Sequence, residues 1–222
     1  MPQWTQLQAA IAAKNGTSSH TINYTVNPAA GALLVAVICG GVTNSEGGSW
    51  TERLQPVNNS ELSVFTRTAA GGAEGITVTH NASDYAVAYA LFEFPSGSTY
   101  GVGTSVSNTN TWPTLSGITV GATVLAALSE AHASGDPSYA TTWTSPWIEA
   151  VDQEVLFNTT DGSYQTIGYQ DAYGSTSATP AETDSTNRTS ELVVFSINIG
   201  TPLTPLSDNS DATFDMTDGV MV

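Results

Sequence analysis

Histidine and cysteine are the residues that most often supply acid–base, metal and nucleophilic chemistry. His20, His80 and His132 are far apart in the chain and form no HxH or HxxxH pattern, so the ligand spacing of a zinc site is missing. The single cysteine, Cys39, lies in an apolar run with no basic residue beside it. We therefore expect Cys39 to be a small buried hydrophobe and not a catalytic thiol.

Carboxylates are the second group of candidates, because two acids ~5–10 Å apart can hydrolyse a glycosidic bond. Glu93 is the most interesting of them, since it interrupts the apolar stretch Leu-Phe-Glu-Phe. Simple alternation along a strand would instead turn Glu93 to solvent. A glycosidase that uses Glu93 or Glu149 is one hypothesis. The acids on predicted strands are Glu52, Glu93, Glu149 and Glu154.

Motifs for other chemistries are missing from the sequence. No Gly-x-Ser-x-Gly string forms a nucleophile elbow, and no glycine-rich stretch ends in Gly-Lys to cradle a phosphate. Asp208, Asp211 and Asp215 do not follow the EF-hand order of calcium ligands. The sequence therefore predicts a protein that is not an enzyme and that has no cofactor and no metal site.

Aromatic and apolar residues outside the predicted core are the candidate binding residues. Trp112 and Trp143 flank loops, where a flat ring can stack on a sugar or meet a partner protein, whereas Trp50 and Trp147 are predicted as core residues. The prolines after residue 200 prevent a strand. Apolar residues nevertheless continue, which predicts an arm that docks on a neighbour, with a disordered end as the alternative. The apolar residues of the arm are Phe214, Met216, Val220 and Met221.

Charge and hydropathy argue against two classes of partner. The 222 residues include 20 acidic and four basic ones, for a net charge of −16. Nucleic-acid binding is excluded because the basic residues are few and scattered and cannot form a patch for phosphates. Insertion into a membrane is not expected, since no apolar run approaches ~18 residues. The N-terminus also lacks the pattern of a secretory signal, so we expect assembly in a cytoplasm.

The rest of the chain reads as β-structure. Short runs rich in Val, Ile, Thr, Tyr and Phe are separated by Gly, Asn, Ser, Asp and Pro. Only Trp4, Leu7 and Ile11 have helical spacing, which predicts a helix or turn segment over residues 1–19. A β-sandwich is predicted over 20–199 and an extended arm over 200–222. The predicted strands cover residues 20–26, 32–39, 51–56, 62–68, 75–80, 85–94, 100–107, 114–118, 123–129, 147–152, 165–173 and 191–199, with turn regions at 108–113 and 174–190.

Three sequence segments recur in the same order in the second part of the chain. Their spacing drifts, so they are not solenoid repeats with a fixed period. We interpret them as two related β-meander halves of one jelly-roll-like β-sandwich, and the alternative is that all strands resemble one another. The matching pairs are 31–36 with 121–126, 50–52 with 147–149, and 90–94 with 193–197.

This order of segments resembles a jelly-roll module seen in bacteriophage virion proteins and some actinobacterial surface proteins. The resemblance implies a structural virion protein of a tailed phage, either a capsid decoration protein or a minor tail protein, with no catalytic residues to transfer. The expected partners are other virion proteins and further copies of the chain, and the expected location is the virion. A carbohydrate-binding module for host surface glycans is the alternative. The stretches that carry the resemblance are 27–37, 49–52, 64–67, 75–79 and 86–94.

Overall fold

The described part of the chain is built from β-strands and contains no helix, which confirms the all-β prediction. β-branched and aromatic side chains suit a pleated, half-buried surface, and the glycines and polar residues between them form the turns. The computed structural model describes residues 5–15, 19–39, 42–46, 50–55, 62–80, 84–132, 141–156, 162–184 and 190–200.

The strands fall into two halves. Those of the first half are β1 Thr5–Asn15, β2 Ser19–Asn23, β3 Leu33–Cys39, β4 Val42–Glu46, β5 Thr51–Leu54, β6 Leu62–Thr68, β7 Gly75–His80 and β8 Asp84–Phe94. Those of the second half are β9 Thr99–Thr109, β10 Leu115–Ser116, β11 Thr123–His132, β12 Thr141–Trp143, β13 Ile148–Leu156, β14 Gly162–Gln170, β15 Ser177–Ala178, β16 Glu182–Asp184 and β17 Ser190–Asn198.

Each half contributes one five-stranded inner sheet, and the two sheets have the same strand order. The first inner sheet runs β1-β8-β3-β6-β5 and the second β9-β17-β11-β14-β13. The outer strands are the sheet β2-β7-β4 in the first half and the ladders β10-β15 and β12-β16 in the second. The prediction of β-meanders is wrong, because a meander pairs consecutive strands and most neighbours here are non-consecutive.

The strand registers place the recurring sequence segments at equivalent positions. Ala36 lies opposite Leu91 between β3 and β8, and Ala126 lies opposite Val194 between β11 and β17. The edge strands β5 and β13 each carry a register shift beside the glutamate of their recurring Trp-x-Glu segment. The two halves are therefore alike in register as well as in strand order.

The two inner sheets pack face to face, and the outer strands cover their other sides. A cluster of buried side chains between the inner sheets includes Val37 and Phe92 from the first half and Ile167 and Phe195 from the second. Two further clusters fill the space between each inner sheet and its outer strands. The described strands thus form four layers, and the two inner sheets have the sandwich-like packing predicted over 20–199. Strands such as β3 are continuously apolar because both of their faces are covered.

Equivalent residues of the two halves contact each other at both ends of the pair β3 and β11. Cys39 Sγ on β3 is hydrogen-bonded to Oγ of Ser129, its counterpart 90 positions later on β11. At the other end Gly97 lies so close to Gly200 that a Cβ on Gly200 would overlap the Gly97 backbone. Contacts between equivalent positions lie on a two-fold axis. A pseudo-two-fold axis therefore runs between β3 and β11.

The segment over residues 1–19, predicted as helix or turn, is a strand where the structure describes it. β1 pairs with the edge of β8, with Thr5 opposite Glu93 and Ile11 opposite Ala88. Leu7 and Ile11 fit the two-residue repeat of a strand as well as the spacing of a helix. Pairing with an exposed sheet edge outweighs a weak helical preference. β1 therefore belongs to the first half and not to a separate segment.

Two predicted loops also contain strand. The region 174–190 includes β15 and β16, and β9 continues to Thr109 into the predicted turn at 108–113. Both additions are short or irregular pairings at the periphery, where alternation is too brief to be recognised in the sequence.

Equivalent tight turns precede β3 and β11, and each of them requires a glycine. Gly31 has a φ of 81° and Gly121 a φ of 92°, which side chains with a Cβ rarely adopt. A Cβ on Gly121 would meet nothing within 4 Å, so we expect Gly121→Ala to cost about 1–2 kcal/mol from the backbone alone. Gly31→Ala should cost a similar amount, because its Cβ would approach only Ser96 Oγ closely, at 2.8 Å, and a serine hydroxyl can rotate away. Urea unfolding measures both costs, and a variant as stable as the wild-type protein would contradict this account of the turn.

Candidate functional site

Three tryptophans of the second half pack against one another beneath its outer strands. The ring centroids of Trp112 and Trp143 are 5.6 Å apart, and those of Trp143 and Trp147 are 5.8 Å apart. Their exposed fractions are 9%, 8% and 5%. The prediction that Trp112 and Trp143 form a partner surface is therefore wrong. Large aromatic rings gain most by burial, and here they complete the core of the second half.

Polar partners satisfy two of these indole N–H groups. Trp112 Nε1 donates to Glu182 Oε1 at 3.2 Å, and Trp143 Nε1 donates to Thr166 Oγ1 at 2.9 Å. A buried N–H without a partner would be costly. These hydrogen bonds hold both rings in place inside the half, so the rings are not available for stacking on a sugar.

Glu93, the most interesting of the candidate acids, has a structural role. Its Oε1 accepts a hydrogen bond from the Ala29 N–H at 2.7 Å and so fastens the loop before β3. Nearby, Glu74 Oε2 forms an ion pair with Arg67 Nη2 at 3.1 Å. Burial, followed by the charges of Glu93 and Glu74, raises the pKa of the Tyr24 hydroxyl well above its usual range. The hydroxyl therefore stays protonated. Together Glu93, Glu74 and Tyr24 hold the loops of the first half in place.

Glu52 and Glu149 occupy equivalent positions, but at opposite edges of the stacked inner sheets. β5 lies over β9 and β1 lies over β13, so the two glutamates are four strand spacings apart across the stack. With neighbouring strands about 4.8 Å apart, that separation is roughly 19 Å. A glycosidase pair needs ~5–10 Å. Glu52 and Glu149 therefore cannot act together on one glycosidic bond.

Asp152 is the acid that the structure brings beside Glu149, and no motif in the sequence predicts this pairing. Residues three apart on a regular strand face opposite sides. The register shift between Glu149 and Val151 changes this, because Glu149 lies opposite Gly168 and Asp152 opposite Thr166, which share one face of β14. The two carboxyls consequently face the same side of β13.

Three carboxyls at the sheet edges predict a particular pH dependence of stability. Burial raises the pKa of Glu52. Burial also raises the pKa of Glu149, and the charge of Asp152 raises it further. The pKa of Asp152 is raised by burial too, although a hydrogen bond with Tyr164 partly opposes this rise. A carboxyl whose pKa is higher in the folded than in the unfolded protein contributes its full stabilisation at a pH below the unfolded-state pKa. This stabilisation is lost as the pH rises through the folded-state pKa. We therefore expect the melting temperature to rise as the pH falls from about 7 to about 5.

The variant Glu52→Gln, Glu149→Gln, Asp152→Asn separates these carboxyls from the general relief of negative charge at low pH. Its melting temperature should rise less than that of the wild-type protein over the same pH range. Thermal melting followed by circular dichroism measures both profiles, and parallel profiles would show that these three groups are not responsible.

The arginines whose side chains the structure describes both have partners inside the protein. Arg53 Nε donates to Thr66 Oγ1 at 2.7 Å, and its Cζ lies 5.2 Å from the ring centroid of Tyr100 in the second half. Burial raises the pKa of Tyr100 to about 12, although the charge of Arg53 opposes the rise. Arg67 is paired with Glu74. Both arginines are therefore engaged in contacts within the protein, although Arg53 remains exposed.

The remaining candidate residues are Cys39, the three histidines, Glu154 and the residues of the C-terminal arm. Cys39 is buried as predicted, and the three histidines lie on β2, β7 and β11. Within the described ranges, no group of three or more His, Cys, Asp or Glu is arranged to hold a metal ion. The same residues include no helix long and apolar enough to cross a membrane. The side chain of Glu154 and the arm residues Phe214, Met216, Val220 and Met221 lie outside the described residues.

Comparison with known proteins gives no relative, since no family model, no curated protein and no solved structure matches this chain. Function is therefore inferred from the fold and the surface of the molecule itself.

Proposed function

We propose that the protein is a structural virion protein of a tailed bacteriophage, a capsid decoration or minor tail protein made of two jelly-roll modules. The strand order carries the proposal. In the first half β1-β8-β3-β6-β5 forms one sheet and β2-β7-β4 the other, so that the first strand pairs with the last and connections cross between the sheets. Apart from β5, which lies at the edge of the first sheet, this order is similar to that of an eight-stranded double Greek key, and such jelly rolls occur in viral capsid and lectin domains.

The distribution of charge supports a position on the outside of a particle. The chain has 20 acidic and four basic residues, and two of the four are engaged inside the fold. An acidic surface repels nucleic acid and resists unspecific association. Such a protein is suited to coat a particle and unsuited to package its genome.

The core shared by the two halves supports a role as a rigid building block. The side chains between the inner sheets come from both halves. The two modules therefore share one core and are not separate domains joined by a linker. A rigid body with fixed loops fits a repeated position on a particle, since little order has to be gained on assembly.

Purified particles provide the test. Antibodies raised against the chain should label intact particles in electron micrographs, and the chain should appear in the gradient fractions that contain packaged DNA. Antibodies pre-absorbed with the purified chain are the control. Recovery of the chain only among soluble cell proteins would contradict the virion role.

Carbohydrate binding is the second candidate, because a similar strand order also occurs in lectin domains. The rings on which a sugar was expected to stack, Trp112 and Trp143, are buried. A glycan array probed with the whole protein tests this function, and binding to host cell-wall glycans would favour it over a purely structural role.

A further inference from the structure

The strands β5 and β9 lie over one another and end the two inner sheets on the same side of the molecule. Arg53 Cζ is 5.2 Å from the ring centroid of Tyr100, and a Cβ on Gly103 would come within 2.8 Å of Leu54 Cδ1. Among the described strands, β5 pairs only with β6 and β9 pairs only with β17. Each strand therefore has an open side. We call this part of the molecule the β5–β9 edge, and it consists of residues 51–54 and 99–109.

The open side of β9 presents backbone groups that can pair with a further strand. Val102 turns its N–H and its carbonyl towards β17, since Ser196 Oγ lies 3.1 Å from the nitrogen and 3.5 Å from the oxygen. The backbone groups of successive residues alternate between the two sides of a strand. Those of Gly103 and Ser105 consequently point to the open side, because the register with β17 is regular over this stretch. Such an edge is a template for pairing with another chain.

Among the four edge strands of the described inner sheets, β9 is the one without a charged residue. β1 contains Lys14, β5 contains Glu52 and Arg53, and β13 contains three acids. Charged residues on an edge strand are one means by which proteins prevent pairing with other chains. The 11 residues of β9 lack this protection, although the chain as a whole has a net charge of −16.

The two charged residues of the β5–β9 edge are adjacent and of opposite sign. Glu52 and Arg53 are both exposed. Arg53 contacts Thr66 and Tyr100, but no carboxylate of the described residues forms an ion pair with it. A two-fold contact sets residue i against residue j and residue j against residue i. This pair of charges is therefore complementary to itself, because a copy turned by 180° brings each Glu52 to the Arg53 of the other copy.

We propose that the β5–β9 edge pairs with the β5–β9 edge of a second copy of this chain about a two-fold axis. β9 runs antiparallel to β9 of the second copy, so that an inner sheet continues from one copy into the other. Glu52 and Arg53 form two ion pairs across the contact. Two chains of charge −16 repel one another over their acidic surfaces, whereas this edge brings together no net charge. The inference rests on the proposed function for its setting, since it names a partner for the building block, yet it can be measured without particles.

Sedimentation velocity of the purified full chain, over roughly a hundredfold range of concentration, tests the contact. We expect a monomer–dimer equilibrium. Glu52→Arg should weaken the dimer by at least about tenfold, because arginine would then face arginine in both pairs, and Arg53→Glu should do the same with glutamates. Glu149→Arg is the matched control, since it makes the same change at the exposed equivalent position on the edge strand β13, and it should not weaken the dimer.

An equimolar mixture of the Glu52→Arg and Arg53→Glu chains gives the sharpest measurement. One chain then has two arginines at the β5–β9 edge and the other has two glutamates. The mixture should form a heterodimer, although each variant alone is expected to be mainly monomeric. A variant that failed to fold would not regain a partner on mixing, so this result separates the contact from the role of Arg53 within the fold.

Three results would overturn the proposal. The first is a wild-type chain that stays monomeric at every concentration, and the second is a dimer that Glu52→Arg and Glu149→Arg weaken equally. The third is a mixture that stays monomeric although thermal melts show that both of its variants fold. A wild-type monomer that still labels particles would refute the self-contact and leave the virion role standing, whereas a dimer never found on particles would do the reverse.

Discussion

Truncation of Phe92 or Phe195 to alanine is expected to lower the free energy of unfolding by about 3–5 kcal/mol. Both side chains are fully buried in the cluster between the two inner sheets. They occupy equivalent places, since Phe92 lies opposite Val35 and Phe195 lies opposite Leu125. Because that cluster belongs to both halves, either truncation should destabilise the whole molecule in one transition.

Urea unfolding followed by far-ultraviolet circular dichroism and by tryptophan fluorescence measures this effect. Trp112, Trp143 and Trp147 are three of the five tryptophans, and they lie in the second half. Phe92→Ala, a change in the first half, should therefore shift the fluorescence transition as far as the circular dichroism transition. Val26→Ala is the exposed control and should stay within about 0.5 kcal/mol of wild type. A fluorescence transition that Phe92→Ala leaves in place would show that the halves unfold separately.

The second large effect is expected from Ser129→Cys. The Ser129 hydroxyl lies against Cys39 Sγ across the pseudo-two-fold axis, so oxidation should join the halves by a disulfide. The bridge would close a loop of about 90 residues, which stabilises by about 4–5 kcal/mol in the chain-entropy treatment. Thermal melting with and without reductant measures the gain.

A thiol titration under denaturing conditions decides whether that bridge forms. The oxidised variant should have no free thiol and should regain two on reduction. The double variant Cys39→Ser, Ser129→Cys is the control, because it keeps one thiol at the axis and cannot form an internal bridge. Two free thiols in the oxidised single variant would place these residues further apart than the structure does.

The layering of the fold could be predicted from the sequence to a considerable extent. The continuous apolar runs of β3, β8 and β17 are typical of strands covered on both faces, and all three are inner strands. The recurring Trp-x-Glu segments also lie at equivalent edges. β1 could not be predicted in the same way, because its partner β8 follows at a distance of about 80 residues and its own alanine-rich sequence suits a helix equally well.

The surroundings of the candidate residues were harder to predict than the strands. Trp143 is next to a loop in the sequence, yet its ring covers Gly168, where a Cβ would overlap the indole. In the first half the equivalent strand position is Phe65, which fills the corresponding space from the inner sheet itself. Sequence alone cannot show which of two layers supplies the aromatic ring. The pairing of Glu149 with Asp152 depends in the same way on a register shift with no local signature.

The shared core has a consequence for the synthesis of the protein on the ribosome. The first half is complete at Phe94, but the strands that cover its inner sheet continue to Asn198. At about 5–20 residues per second, translation of the intervening hundred or so residues takes roughly 5–20 s. During that time the nascent first half exposes Val37, Phe92 and their neighbours to solvent. We expect it to need a chaperone then, and adjacent nascent chains on one messenger to be able to pair their inner sheets in error.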